Sequence, residues 1–192
     1  MYTDVMTEIA RFKAGRIHVA RAGLATQARL CVDMLQQGRG MAWVVKNRDE
    51  LLTARALMRL FSPELSSGDF LPDAFDKGGW TSLPPFSPRS ANREGWTERL
   101  SALYALRSGQ AKGLILTADN LLPKLVPLDF FENREVTLIR GEDVSLDMIL
   151  EQAVEWGYER VSMVSNPGEI ARRGDILDIM PPGYDKPIRL DF

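Results

Sequence analysis

Apolar and polar positions repeat along the chain with two different periods, and the places where the period changes outline its elements. Ile17 to Ala20 is a short apolar run followed by Gly23, which predicts a strand and a turn. From about Ala25 to Gln37 the apolar residues recur at helical spacing, and Gly38 and Gly40 supply the stop. Met41 to Val45 reads as a continuous apolar strand. Asn47 and Glu50 then have the spacing of a capping box, ahead of one apolar stripe of Leu51, Ala54, Leu57, Met58 and Phe61. Between Ser62 and Ala91 the composition turns to Gly, Pro and Ser with Phe70, Phe75, Trp80 and Phe86 set among them, which predicts a long loop pinned by aromatics. Trp96, Leu100, Leu103 and Leu106 restore helical spacing, Gly113 to Leu116 is a buried-type strand, and Ala118 to Leu122 is a short helix stopped by Pro123. Strand and helix in alternation imply a parallel sheet with helices on its faces.

Beyond the segment Pro123 to Leu128 the pattern changes. Glu135 to Ile139 is read as a strand. Ser145 caps a helix that turns Leu146, Ile149, Leu150, Ala153 and Val154 inward and ends at Gly157. The rest is strand-rich: Arg160 to Val164, Glu169 to Arg172, Asp175 to Met180 and Pro187 to Phe192, separated by Asn166, Pro167, Gly174 and Gly183. A domain boundary is expected near residue 132, giving an α/β domain over 1–132 and a smaller α+β domain over 133–192. Ile188, Leu190 and Phe192 alternate with Arg189 and Asp191 up to the last residue, so the second domain is expected to be incomplete and to belong to a longer protein.

Composition narrows the function classes. Lysine and arginine (24) nearly balance aspartate and glutamate (26), so bulk charge does not argue for nucleic-acid binding. One cysteine, Cys31, and one histidine, His18, exclude an internal disulfide and leave too few ligands for a structural zinc site. Met1 to Lys13 carries Asp4 and Glu8 and no continuous apolar core, which argues against a signal peptide, and no window reaches the apolar length of a membrane span. A cytoplasmic protein without metal or cofactor is the expectation.

Two stretches invite a nucleotide reading. The strand, turn and helix over Ile17 to Gln37 have the order of a phosphate-binding loop, in which backbone amides cradle phosphates and a Gly-Lys-Ser/Thr ending contacts them. Here Gly23 opens the run, but Ala28 stands for the close-approach glycine, Arg29 for the lysine and Leu30 for the magnesium-holding hydroxyl. The run is a decayed phosphate loop or an unrelated strand-to-helix turn. Gly113 to Asp119 leads an apolar strand to an acid, as a Walker B strand does, yet Asn120 follows it. Thr117 or Asp119 capping a short helix is the simpler reading.

The last forty residues carry a resemblance. The series Gly157-Tyr158-Glu159-Arg160-Val161, then Asn166 through Gly183, then Ile188-Arg189-Leu190-Asp191-Phe192, resembles the N-terminal UvrB-homology module of bacterial transcription-repair coupling factors, and through it UvrB. Weaker agreement covers Trp80, Leu83-Pro84, Phe86-Ser87-Pro88 and Arg99 to Tyr104.

That resemblance implies a UvrB-like first domain whose phosphate loop is degenerate, the working motor lying downstream in the parent protein. Nothing between Ser62 and Ala91 resembles the tyrosine-rich hairpin with which UvrB clamps DNA. It further implies a second domain that binds UvrA, with family contact positions at Arg160, Arg173, Arg189 and Asp191, while Ala171 stands where UvrB has a further arginine. RNA polymerase and DNA would be engaged only by the parent's other domains. On this reading the fragment is a non-catalytic docking module. The alternatives are a UvrB-type ATPase fragment, disfavoured by Ala28 and Leu30, an interdomain clamp that restrains the parent motor, and, for the charged residues, an ordinary solvated strand face.

Overall fold

The structure, a computed structural model, describes residues 21–62, 79–85, 93–122, 124–127, 129–182, 184 and 186–192. The strand expected at Ile17 to Ala20, the residues Phe70, Phe75 and Phe86, and Pro123 lie outside them.

The first sheet has three parallel strands in the order β1-β3-β2: β1 (Met41–Val45), β2 (Gly79–Ser82) and β3 (Ala111–Thr117). Helices α1 (Leu24–Gln36) and α2 (Arg48–Phe61) cover one face. Ala28, Val32 and Leu35 from α1 and Leu51, Ala54 and Met58 from α2 close there over Trp43, Val45, Trp80 and Ile115. The helix α3 (Arg93–Arg107) packs on the opposite face through Ala102, against Leu83 and Leu116. The α/β class with a parallel sheet follows from alternating strands and helices, as the pattern implied.

Local signals account for most boundaries. The Asn47 side chain accepts a hydrogen bond from the Glu50 amide at 3.0 Å, capping α2. Glu50 reaches back to the Lys46 amide at 2.9 Å, so the box closes one residue outside the cap. The helix α3 differs from its apolar spacing. Trp96 is exposed, and the buried positions are Thr97, Arg99, Ser101, Ala102 and Ala105. Mostly small side chains allow the helix to sit close to the sheet. At the centre of the sheet Gly113 has the same role: a Cβ there would stand 2.9 Å from both the Met41 Cε and the Trp80 Cβ.

The C-terminal ends of β2 and β3 are locked by a buried polar cluster. Asn120 sits in the 3-10 turn Ala118–Leu121 and is 2 % exposed. Its side-chain oxygen accepts from Arg99, and its amide group donates to the Leu83 carbonyl at 3.3 Å and the Thr117 hydroxyl at 3.1 Å. Arg99 also donates to the Pro84 carbonyl at 2.9 Å. Thr117 occupies the N-cap position without capping through its hydroxyl, which Asn120 has taken.

The second sheet has the order β4-β5-β6-β7: β4 (Glu159–Arg160), β5 (Glu169–Arg173), β6 (Ile176–Ile179) and β7 (Ile188–Asp191). β4 pairs with β5 in parallel and the remaining pairs are antiparallel. Ahead of it come the short helix α4 (Asp129–Glu132) and the helix α5 (Leu146–Glu155), with Ser145 accepting from the Met148 amide and Gly157 in the left-handed region at φ 96°. Leu146, Ile149, Leu150 and Ala153 pack on Ile170 and Leu177, with Leu190 and Tyr158 at the margin. Three expectations need correction. Val154 is exposed. Glu135 to Ile139 forms no strand, since Val136, Leu138 and Ile139 are exposed and have no sheet partner. The strand expected at Arg160 to Val164 pairs only at Glu159 and Arg160, because the chain then folds over the sheet and buries Val164 against Ala171 and Met180.

Candidate docking surface

The register of the second sheet sorts its charged residues onto two faces. Ala171, Asp178 and Arg189 are cross-strand neighbours, and so are Arg173, Ile176 and Asp191. The two rows are two residues apart along each strand, so Arg173, Arg189 and Asp191 share one face. The opposite face carries Ile170, Leu177 and Leu190 against α5. Arg160 pairs with Ile170 across β4 and β5, so it sits at the sheet edge on the α5 side, away from the other three.

Arg173 and Arg189 line an open depression of about 390 Å³ together with Met163, Val164, Asp178 and Pro187. Arg189 engages Asp178 with both arms of its guanidinium, Nε to Oδ1 at 2.7 Å and Nη2 to Oδ2 at 2.8 Å. The Asp178 side chain is 12 % exposed while that of Arg189 is 63 % exposed, so the arginine leans out over a carboxylate set in the sheet. The hydrogen bonds from Arg189 hold the Asp178 carboxyl below its ordinary pKa, against the upward push of burial. Arg173 is exposed and donates through Nη2 to the Ser162 carbonyl at 2.9 Å, which ties its guanidinium to the segment that follows β4. Ala171 is 3 % exposed and lies in the small cluster of Val164 and Met180.

The partnership of Arg189 with Asp178 is not legible in the sequence. The alternation of β7 gives the direction of Arg189, but the register that sets Asp178 opposite it comes from the pairing of β6 with β7. Met163, 66 % exposed at the rim, was likewise not singled out, because one methionine in a loop carries no periodic signal.

Among the described residues, the run Gly23 to Leu30 is an N-cap and a helix rather than a loop. Gly23 is the N-cap, the chain is helical from Leu24, and the Gln27 amide already donates to the Gly23 carbonyl at 3.0 Å. Ala28 is fully buried in the core, and Arg29 is ion-paired with Asp33 at 2.8 Å one turn on. Leu30 is half-buried in the same helix. Asp119 is exposed, and its neighbour Asn120 is committed to the buried cluster. Among the described residues no group of three or more His, Cys, Asp or Glu could hold a metal ion, and no helix is long and apolar enough to cross a membrane.

The face bearing Arg173, Arg189 and Asp191 lies within residues 136–192, which match the family model described as UvrB interaction domain. The chain is similar, over a longer stretch, to transcription-repair-coupling factors. It is 42 % identical over 97 residues to that of Staphylococcus aureus (strain USA300), covering 50 % of this chain and 8 % of the relative. It is 34 % identical over 113 residues to that of Escherichia coli (strain K12), covering 59 % and 10 %. For Myxococcus xanthus the identity is 34 % over 109 residues, covering 56 % and 9 %. The matched stretch spans a tenth or less of the length of these curated relatives. The resemblance read from the motif series therefore holds: residues 136–192 match the UvrB interaction domain, and about half of the chain is similar to transcription-repair-coupling factors.

Proposed function

We propose that the chain is a non-catalytic docking module that recruits UvrA for nucleotide-excision repair, and that it does so through the face of the second sheet that bears Arg173 and Arg189. Arg173 and Arg189 are the anchors, Asp191 lies beside them, and Arg160 at the far edge makes at most a peripheral contact. One observation carries the reading: an arginine pair around an open depression falls inside the segment that matches the UvrB interaction domain. Arginine suits a protein interface because its planar fork engages a partner carboxylate bidentately. The parent protein, a cytoplasmic coupling factor, supplies the motor and the contacts to RNA polymerase and DNA from its other domains, and a boundary near residue 132 separates the two units of this chain.

The run Gly23 to Leu30 is in this view a decayed phosphate loop. Gly23 is the N-cap of a helix that begins at Leu24, and Ala28, fully buried in the core, stands where a phosphate-binding loop needs a glycine. Titration of the chain with purified UvrA tests the docking role: saturable binding is expected, and its absence refutes the proposal. Calorimetry with ATP and magnesium is expected to show no micromolar site, and a saturable one would restore the ATPase alternative.

A further inference from the structure

The depression between Arg173 and Arg189 is not a purely ionic site. Its walls include Met163, whose side chain is two-thirds exposed, and Pro187, also exposed, while Val164 at 9 % exposure belongs to the small core beneath. Large exposed apolar side chains are unremarkable when scattered, but Met163 stands at the rim of a concave surface beside two guanidinium groups. The charge balance there is specific. Among the groups that line the depression, Asp178 is matched by the two-armed contact from Arg189, which leaves the Arg173 guanidinium, while Asp191 on the same face lies outside the lining. A guanidinium has five donors, and the Ser162 carbonyl takes one from Arg173.

From this geometry we infer that the depression accepts one carboxylate side chain of the partner together with an adjoining apolar side chain, and that Met163 is the apolar contact that sets this preference. The inference rests on the docking role proposed above and adds to it the chemistry of the segment that docks. The carboxylate meets Arg173, and the apolar neighbour lies against the flexible thioether of Met163 and the ring of Pro187, displacing water from both. Methionine fits this use because three rotatable bonds and a polarisable sulfur let it conform to a partner surface. The Arg173 guanidinium in the lining favours an acidic side chain over a basic one, and the apolar wall favours a protein over a sugar-phosphate backbone.

The test uses the full 192-residue chain, with UvrA as the probe and a short DNA duplex as the second ligand, each titrated at low and near-physiological salt. The variants are Met163→Ser, Met163→Leu and Arg173→Gln, and thermal melting checks that each is folded. Met163→Ser is expected to weaken UvrA binding roughly tenfold, the order given by burying most of a methionine side chain, with an unchanged salt dependence. Met163→Leu should stay within about threefold of the parent chain, since the swap conserves apolar volume. Arg173→Gln should weaken binding and flatten its salt dependence. If Arg173→Gln weakens binding while Met163→Ser leaves it unchanged, the apolar contact is wrong and the docking role stands. If the unaltered chain does not bind UvrA, the docking role falls and takes the inference with it. Duplex binding that depends on Arg173 and ignores Met163 would assign the face to phosphates and overturn the inference.

Discussion

Reversing the charge at Arg173 and at Arg189 separates recognition from folding at this surface. In Arg173→Glu the chain loses one exposed hydrogen bond to the Ser162 carbonyl, a contact of about 0.5–1 kcal/mol, and also the attraction between Arg173 and the Asp178 carboxylate. For a unit of this size the lost hydrogen bond by itself lowers the melting midpoint by roughly 5 °C or less. The same substitution sets a carboxylate where the partner's carboxylate is expected, and losing one side of a desolvated charge pair costs about 2–5 kcal/mol of binding, or a factor of about 30 at the lower bound. Arg189→Glu is different. It turns a two-armed attraction into two facing carboxylates, one of them, Asp178, nearly enclosed by the sheet. Its melting midpoint should fall clearly further than that of Arg173→Glu, and lost affinity in that variant would report folding and recognition together. The assay pairs circular dichroism melts with UvrA titrations on both variants. An Arg173→Glu chain that melts like the parent and binds UvrA with unchanged affinity would refute the anchor assignment. An Arg189→Glu chain as stable as the parent would refute the role given to Asp178.

Gly113→Val should destabilise the first sheet by about 1–3 kcal/mol or more, since even a Cβ meets Met41 and Trp80 at 2.9 Å; an unaltered melting midpoint would show that the strand can shift at little cost. The pairing of Asp178 predicts an acid response. Its folded pKa lies below the unfolded carboxylate value, so its stabilising contribution is complete above roughly pH 4 and is lost as pH falls through the folded value. The stability gap between the parent chain and Asp178→Asn should accordingly be full at pH 7 and narrow in acid, and a gap that widens below pH 4 would contradict the assignment. Burial pushes the Cys31 thiol up to about 11, so its reaction with a thiol reagent at neutral pH should be slow and should accelerate on unfolding; rapid modification of the folded chain would contradict that placement.

Much of the fold was legible in the sequence because its signals are local. The strand Met41–Val45, the Asn47 cap, the apolar stripe of α2, the Ser145 cap and the glycine at 157 each act within a few residues, and each lies where the pattern indicated. The motif series from Gly157 to Phe192 was equally legible as a resemblance, because residue order survives without any knowledge of packing. The failures share a different cause. Glu135 to Ile139 has the composition of a strand but no edge to pair with, and a strand exists only through its neighbours. The buried side of α3 reads as small and polar because the approach of the sheet, not the helix period, selected those residues. The docking face depended on tertiary structure for the same reason. Alternation along β7 fixed which way Arg189 points, whereas only the register with β6 sets Asp178 opposite it, and only the chain folding back over β5 brings Ser162 to Arg173 and Met163 to the rim. Direction follows from the geometry of a single strand, but partnership is settled by contacts between segments distant in sequence, which local periodicity does not encode.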